Sequence, residues 1–221
     1  MHLSLLNKVT SSTLLMLIAV SSVFVISFAF KNAMGNLYFV SLEQLVAKHQ
    51  DNITQDAVNA LQDQVSGVEK WSIDNPQYLL YLAQTERWMG NYDGYHVNQN
   101  LIEQRLHRAN AIRPTSAHQF AQLARESWLE GDGNGAVRSN LSKAQQLAPF
   151  DTRIALYSLD YYLSYWPELS LDEKIQATRY LLNSQNYQIT YEWKYLFRDQ
   201  EKKTRACSLL NFNNVNNRYC K

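Results

Sequence analysis

The sequence predicts an all-α protein with one N-terminal transmembrane helix followed by a short, irregular array of helical hairpins. Residues 9–30 carry no charge, and the stretches after them place apolar residues at helical spacing. A phrase of the form Leu-x-x-Ala-x-x-x-x-Pro recurs at residues 106–114 and 141–149. With only 7 glycines and 4 prolines, the chain is not of the linker-rich or disordered class.

The first element is the uncharged segment 9–30, which is bracketed by Lys8 and Lys31. At about 1.5 Å per residue, a helix of this length crosses the roughly 30 Å hydrocarbon layer of a membrane. A cleaved signal peptide is the alternative, because Ser27-Phe28-Ala29 fits a small-x-small cleavage site. The apolar stretch is longer than the usual core of a signal peptide, so the sequence favours an uncleaved anchor.

Charges and cysteines together predict the topology. The amino terminus and Lys8 oppose only Lys31, so the positive-inside rule favours residues 1–8 on the cytoplasmic side. The only cysteines, Cys207 and Cys220, lie near the end of the chain. Outside the cytoplasm such a pair is expected to form a disulfide rather than a metal site. The bulk of the chain is therefore expected beyond the membrane.

Residues 31–50 are predicted to form a juxtamembrane helix or linker. Phe39, Leu42, Leu45 and Val46 make an apolar stripe at helical spacing within it. Packing of this stripe onto the first hairpin explains the pattern. Contact with another membrane protein is the alternative.

The body of the chain, residues 51–183, is predicted to be a helical repeat domain. Its first unit contains Leu82-Ala83, a turn at Gly90, and Ala109 and Pro114; its second contains Leu123-Ala124, a turn at Gly131, and Ala144 and Pro149. Small residues let helices approach closely, and proline cannot continue a helix. This pattern resembles the tetratricopeptide repeat, in which neighbouring hairpins stack because none can bury its apolar face alone.

Two departures predict an irregular array. The segment between Asp93 and Pro114 holds about seven residues more than a standard repeat, equivalent to two extra helical turns or a short insertion. The second unit carries an extra residue in Gly131-Asp132-Gly133-Asn134-Gly135. A third, degenerate unit covers residues 154–182.

The tetratricopeptide resemblance also implies a groove lined by the first helix of each unit. The groove-facing positions are Gln84, Arg87, Arg125, Trp128 and, with poorer alignment, Tyr162. Guanidinium groups beside a tryptophan favour a carboxylate-bearing peptide or an acidic glycan, because arginine makes bidentate contacts with carboxylates. Most of the fourteen tyrosines are expected to fill the core between helices instead.

The sequence contains no pattern of catalytic, cofactor-binding or metal-binding residues. His96 and His107 are separated by about 16 Å of helical rise, and Pro114 interrupts the helix before His118, so they would not share one metal. The glycine-rich turn lacks the strand and the Gly-Lys-Ser of a phosphate loop. The near balance of 21 basic and 20 acidic residues argues against nucleic-acid binding. We therefore predict a non-enzymatic protein without cofactor or metal.

Residues 184–221 form a C-terminal extension that contains both cysteines, Cys207 and Cys220. The whole arrangement resembles the VpsP family of small, membrane-anchored, tetratricopeptide-like proteins of bacterial polysaccharide biosynthesis. The resemblance implies a periplasmic scaffold on the bacterial inner membrane that docks envelope or polysaccharide-assembly proteins, or an acidic glycan. Two alternatives are a glycan-binding module that uses surface aromatic and arginine residues, and an envelope enzyme with unrecognised carboxylates.

Overall fold

The computed structural model describes residues 2–72, 74–131 and 134–220, and within these ranges the side chains of all residues except 2–13 and 134. Regular structure in this part of the chain is entirely helical, which confirms the all-α prediction. The α-helices described are α1 (His2–Lys48), α2 (Gln55–Ser72), α3 (Pro76–Met89), α4 (Gln99–Ile112), α5 (Ala117–Glu130), α6 (Asn134–Leu147), α7 (Thr152–Ser164), α8 (Leu171–Leu182), α9 (Trp193–Leu196) and α10 (Gln200–Phe212). They belong to two compact units, the first ending at Ile112 and the second beginning at Arg113.

Helix α1 joins the predicted membrane segment and the predicted juxtamembrane stretch in one continuous element. The helix is long and apolar enough to cross a membrane. All its side chains from residue 14 to residue 33 are exposed, and Phe24 is 72% exposed. No linker separates residues 31–48 from this apolar part, because helical sequence continues without a proline.

The first unit is built from two packed helix pairs, α1 with α2 and α3 with α4. Leu42 is fully buried against Val58, Leu61 and other apolar side chains of α2 and α3. The Phe39 ring stacks on Tyr78 with 4.1 Å between ring centroids. These contacts show that the apolar stripe of residues 31–50 packs onto α2 and α3 of the first unit.

A close approach of α1 and α2 depends on two glycines. A Cβ atom on Gly67 would lie 2.2 Å from the Tyr38 ring, and one on Gly35 would lie 1.8 Å from the Ser72 hydroxyl. Any larger residue at either position would force the helices apart. The C-terminal part of α1, around Gly35 and Tyr38, is thereby held close to α2.

The extra residues of the first hairpin form a loop rather than additional helical turns. Helix α3 ends at Met89 and α4 begins at Gln99, so the insertion occupies residues 90–98. The Glu86 carboxylate accepts hydrogen bonds from the Tyr95 hydroxyl at 2.8 Å and from the Asn98 backbone N–H at 3.0 Å. A buried side chain of α3 therefore holds the inserted loop in place.

The second unit contains packed pairs α5 with α6 and α7 with α8, and α10 lies against α7. Helix α5 ends at Gly131, whose φ of 74° is the left-handed conformation that glycine adopts at no steric cost. Asp132 and Gly133 of the predicted turn lie outside the described residues. Asp151 caps α7 by accepting hydrogen bonds from the backbone N–H groups of Arg153 and Ile154.

The C-terminal extension folds back onto the second unit. Cys207 on α10 and Cys220 in the tail form a disulfide with their Cα atoms 5.5 Å apart, as the sequence predicts. The Lys202 ammonium group on α10 forms a salt bridge with Asp160 on α7. A disulfide is typical of a protein that resides in an oxidising compartment.

Candidate functional site

The predicted groove residues are divided between the two units. Gln84 and Arg87 lie on α3 in the first unit, and both are half-buried. The Arg87 guanidinium donates a hydrogen bond to the side-chain oxygen of Gln99 at the start of α4. Arg125 and Trp128, on α5 of the second unit, line one cavity together.

This cavity lies between α5, α6 and α7 and has a volume of about 360 Å³. Ala121 and Ala124 leave room for it, because each contributes only a methyl group to the α5 side. Val137 and Leu141 of α6 supply apolar lining. We call this space the α5–α7 cavity. Its size falls within the range of small-ligand and peptide side-chain sites.

Arg125 is the positively charged residue that lines the α5–α7 cavity. Its guanidinium carbon lies 6.0 Å from the centroid of the Tyr157 ring, a cation–π arrangement that holds the side chain along the wall. Arg125 forms no salt bridge with any residue that the structure describes. Its charge is therefore available to an anionic group.

The carboxylate of the α5–α7 cavity is already neutralised. Asp160 lies in the wall and pairs with Lys202, whose ammonium nitrogen is 2.5 Å from the Asp160 Oδ1 atom. The same nitrogen lies 5.7 Å from the centroid of the Trp128 ring. Because Lys202 balances Asp160, the guanidinium of Arg125 gives the cavity a net positive character.

Trp128 is part of the wall rather than a free surface ring. It is half-buried, its indole N–H donates a hydrogen bond to the Tyr165 hydroxyl at 3.3 Å, and its ring meets that of Tyr161 edge-on at 5.5 Å. Truncating it would remove core packing as well as any ligand contact. Arg125 is therefore the better residue with which to test binding.

Tyr162 does not belong to an exposed groove, and its assignment there is corrected. Its side chain is 3% exposed, and its hydroxyl accepts a hydrogen bond from the Gln145 amide at 3.1 Å. Burial raises the pKa of Tyr162 to about 12. Tyr161 lines the cavity instead, because a step of one residue turns a side chain by about 100° around a helix.

Sequence reasoning missed three contributors to the α5–α7 cavity. Tyr157 and Tyr161 lie four residues apart on α7, so helical spacing places them on one face. That spacing is a weak signal, since core tyrosines show the same pattern. Nothing in the sequence around Lys202 indicates its role, because its partner Asp160 lies on α7, far from it along the chain.

No metal centre is formed by the histidines in the part of the chain that the structure describes. His118 accepts a hydrogen bond from Arg153 at 3.0 Å and lies 3.4 Å from an Asp151 carboxylate oxygen. These contacts explain His118 as a surface residue that links the start of α5 to the start of α7.

A guanidinium beside aromatic walls over an apolar floor suits a carboxylate carried on an apolar or peptide chain. The α5–α7 cavity combines these groups, because Arg125, Tyr157 and the apolar Val137 and Leu141 all line it. Comparison with known protein families, curated proteins and solved structures found no match.

Proposed function

We propose that this protein is a non-catalytic adaptor of exopolysaccharide biosynthesis or export, anchored in the bacterial inner membrane by α1. Its N-terminus lies in the cytoplasm and its helical body in the periplasm, where it docks envelope or polysaccharide-assembly proteins. The observation that carries the binding role is the guanidinium of Arg125 in the α5–α7 cavity, which pairs with no carboxylate among the described residues. The polysaccharide context rests on the resemblance to the VpsP family.

The anchor and the compartment are supported by two features. The apolar side chains of α1 from residue 14 to residue 33 are all exposed, as expected of a surface that meets lipid, although the Phe30 ring also meets that of Trp71 edge-on at 5.8 Å. The Cys207–Cys220 disulfide fits an oxidising space such as the periplasm. Alkaline phosphatase fused after the C-terminal residue should be active, and the same enzyme fused within residues 2–8 should be inactive. The opposite pattern would refute the orientation.

The tetratricopeptide-like arrangement is supported by the positions of its prolines and alanines. Pro76 begins α3, and Pro114 and Pro149 stand just before α5 and α7. The four alanines that align in the two units are at most 2% exposed: Ala83, Ala109, Ala124 and Ala144. In the proposed array they let the paired helices approach closely.

The proposed partner contact is a carboxylate-bearing peptide segment bound by Arg125. A photoreactive amino acid at Leu129, which lines the α5–α7 cavity and is 56% exposed, should form a covalent adduct with the partner in intact cells. The same probe at Leu147, 42% exposed on α6 and outside the cavity, is the matched control. An adduct at Leu129 alone would support the assignment.

Reversing the charge of Arg125 tests whether binding requires its positive charge. Arg125→Glu should abolish the adduct at Leu129 and lower polymer output. Lys143→Glu reverses a cation that lies 5.3 Å from the Phe120 ring in the same unit but lines no part of this cavity. It should leave both unchanged. Equal effects of the two substitutions would show that the cavity does not direct binding, and normal polymer output without the protein would refute the polysaccharide role.

A further inference from the structure

A second cavity, of about 490 Å³, lies in the C-terminal extension. It is bounded by the end of α8, by the segment leading into α9, and by the tail that follows α10. We call it the tail cavity. It shares no lining residue with the α5–α7 cavity, and its volume is within the range of sites for small polar ligands.

The lining of the tail cavity carries amides and hydroxyls that can bind a ligand. The side-chain amides of Gln185 and Asn216 are exposed and make no hydrogen bond with any residue that the structure describes. Ser184 and Thr190 lie beside them, with 3.4 Å between their hydroxyl oxygens. Each amide can donate and accept, as can each hydroxyl. This combination suits the hydroxyl groups of a sugar ring.

Trp193 forms part of the wall of the tail cavity. The residue is 3% exposed, and its indole nitrogen makes no hydrogen bond within the described part of the chain. A buried N–H group without an acceptor costs about 1–3 kcal/mol, and native proteins contain few of them. Because this nitrogen is itself fully buried, Trp193 contributes to the cavity as part of its wall and not as a ligand donor.

Among the described residues that line the tail cavity, Arg218 carries the positive charge. The guanidinium carbon of Arg218 lies 4.8 Å from the centroid of the Tyr219 ring, and Arg218 donates a hydrogen bond to the Tyr219 hydroxyl at 2.9 Å. No carboxylate among the described residues pairs with it. Arg218 is thus oriented by its neighbour and remains available to an anion.

The disulfide connects this rim to the helical body. Residues 215–219 of the tail line the cavity, and Cys220 follows them directly and is bonded to Cys207 on α10. Val215 and Tyr219 also pack against the core of the second unit, so the disulfide adds a covalent constraint to an apolar contact. The covalent bond and this packing together position the Asn216 and Arg218 side chains.

We propose that the tail cavity binds an acidic sugar residue of a glycan, with Arg218 contacting the carboxylate. The amides of Gln185 and Asn216 bind the ring hydroxyls. A saccharide is favoured over an acidic peptide because the available groups are mostly neutral amides and hydroxyls, with one guanidinium. The proposal does not depend on partner docking at Arg125, since the two cavities use different residues.

The test uses the full chain in detergent micelles and two tetrasaccharides. A hyaluronan tetrasaccharide carries uronic-acid carboxylates, and maltotetraose carries none; a hexaglutamate peptide represents an acidic polypeptide. We expect calorimetry to detect the hyaluronan fragment at lower concentration than either of the others. Preference for the peptide, equal binding of both sugars, or binding of neither would overturn the proposal.

Two arginine variants test the role of the charge. Arg218→Gln should weaken binding of the hyaluronan fragment about tenfold or more, because a charge-assisted hydrogen bond is lost. Arg198→Gln is the control, since Arg198 lies the same 4.8 Å from the ring of Tyr195 but lines no part of the tail cavity. It should bind normally. Equal weakening in both variants would overturn the assignment of Arg218.

Removing the disulfide tests how the site is built. Cys207→Ser combined with Cys220→Ser should weaken binding of the hyaluronan fragment while leaving the helical circular dichroism signal nearly unchanged. Arg125→Glu should bind the fragment as the wild type does, so a failure of the adaptor proposal is distinguishable from a failure of this one. Unchanged sugar binding in the double serine variant would refute the positioning role of the disulfide.

Discussion

Arg105→Met should strongly destabilise the first unit, because it leaves two carboxylates without their cation. The Arg105 side chain is 4% exposed, and its guanidinium nitrogens lie 2.6 Å from Glu69 and 3.7 Å from Glu86. It also donates a hydrogen bond to the backbone carbonyl oxygen of Leu82 at 3.2 Å. Methionine fills similar space but supplies neither charge nor donor.

The expected magnitude follows from the exposure of the two carboxylates. Glu86 is 4% exposed and Glu69 is 32% exposed, so water still reaches one of them. Removing one partner of a buried ion pair costs about 3–5 kcal/mol, and the solvation of Glu69 places this case near 3 kcal/mol. At about 4 °C or more per kcal/mol for a unit of this size, the melting temperature should fall by at least about 10 °C.

Thermal melting of the full protein in detergent, followed by circular dichroism, measures this effect. Arg108→Met on the same helix is the control, because its salt bridge with Asp74 joins side chains that are 48% and 71% exposed. It should change stability by less than about 1 kcal/mol. Adding Glu86→Gln to Arg105→Met should restore part of the loss by removing a buried charge. Equal melting temperatures of the Arg105→Met and Arg108→Met variants would refute this reasoning.

Three further predictions concern the second unit. Ala144→Leu, at a fully buried position of α6, should cost about 1–3 kcal/mol, whereas Ala136→Leu on the exposed face of that helix should stay within about 0.5 kcal/mol; equal melting temperatures would contradict the packing. The pKa of Tyr162 is raised to about 12, so its stabilising contribution is complete below pH 10 and declines between pH 10 and 12. Between pH 10 and 12 the free energy of unfolding of the wild type should fall by about 2 kcal/mol relative to that of Tyr162→Phe. Equal pH dependence of the free energy of unfolding in the two proteins would contradict this prediction. Without reductant, a thiol-alkylating reagent should label neither Cys207 nor Cys220; labelling of both would contradict the disulfide.

Local signals in the sequence were sufficient to predict the helical elements and several of their boundaries. Pro76 fits the first turn of α3 because its missing N–H has no partner there in any helix. Ala109 and Ala144 are fully buried, as the repeated phrase predicted, since only small side chains fit where helices cross closely. The uncharged run from residue 9 to residue 30 falls within α1.

Features that depend on contacts between distant residues could not be predicted from the sequence. The extra residues at 90–98 form a loop because Glu86 accepts hydrogen bonds from Tyr95 and Asn98, and composition alone does not exclude two more helical turns. The prediction placed Tyr162 at the binding surface, but its neighbour Tyr161 is the residue that lines the α5–α7 cavity. The sequence of α7 does not show which of the two faces the cavity, because apolar and aromatic residues occur almost all the way around this helix.

The charge distribution of the second unit distinguishes the two arginines that line its cavities from its other cations. Lys202 pairs with Asp160, and Arg138 lies 3.3 Å from Glu173, so these cations are neutralised within the fold. Arg125 and Arg218 lie beside aromatic rings instead, and neither pairs with a carboxylate in the described part of the chain. Arg198 has the same kind of aromatic neighbour but lines neither cavity, so an aromatic neighbour alone does not place an arginine at a cavity. Because basic and acidic residues nearly balance over the whole chain, general electrostatic attraction would contribute little, and the anion binding proposed for these cavities would depend on their local guanidinium groups.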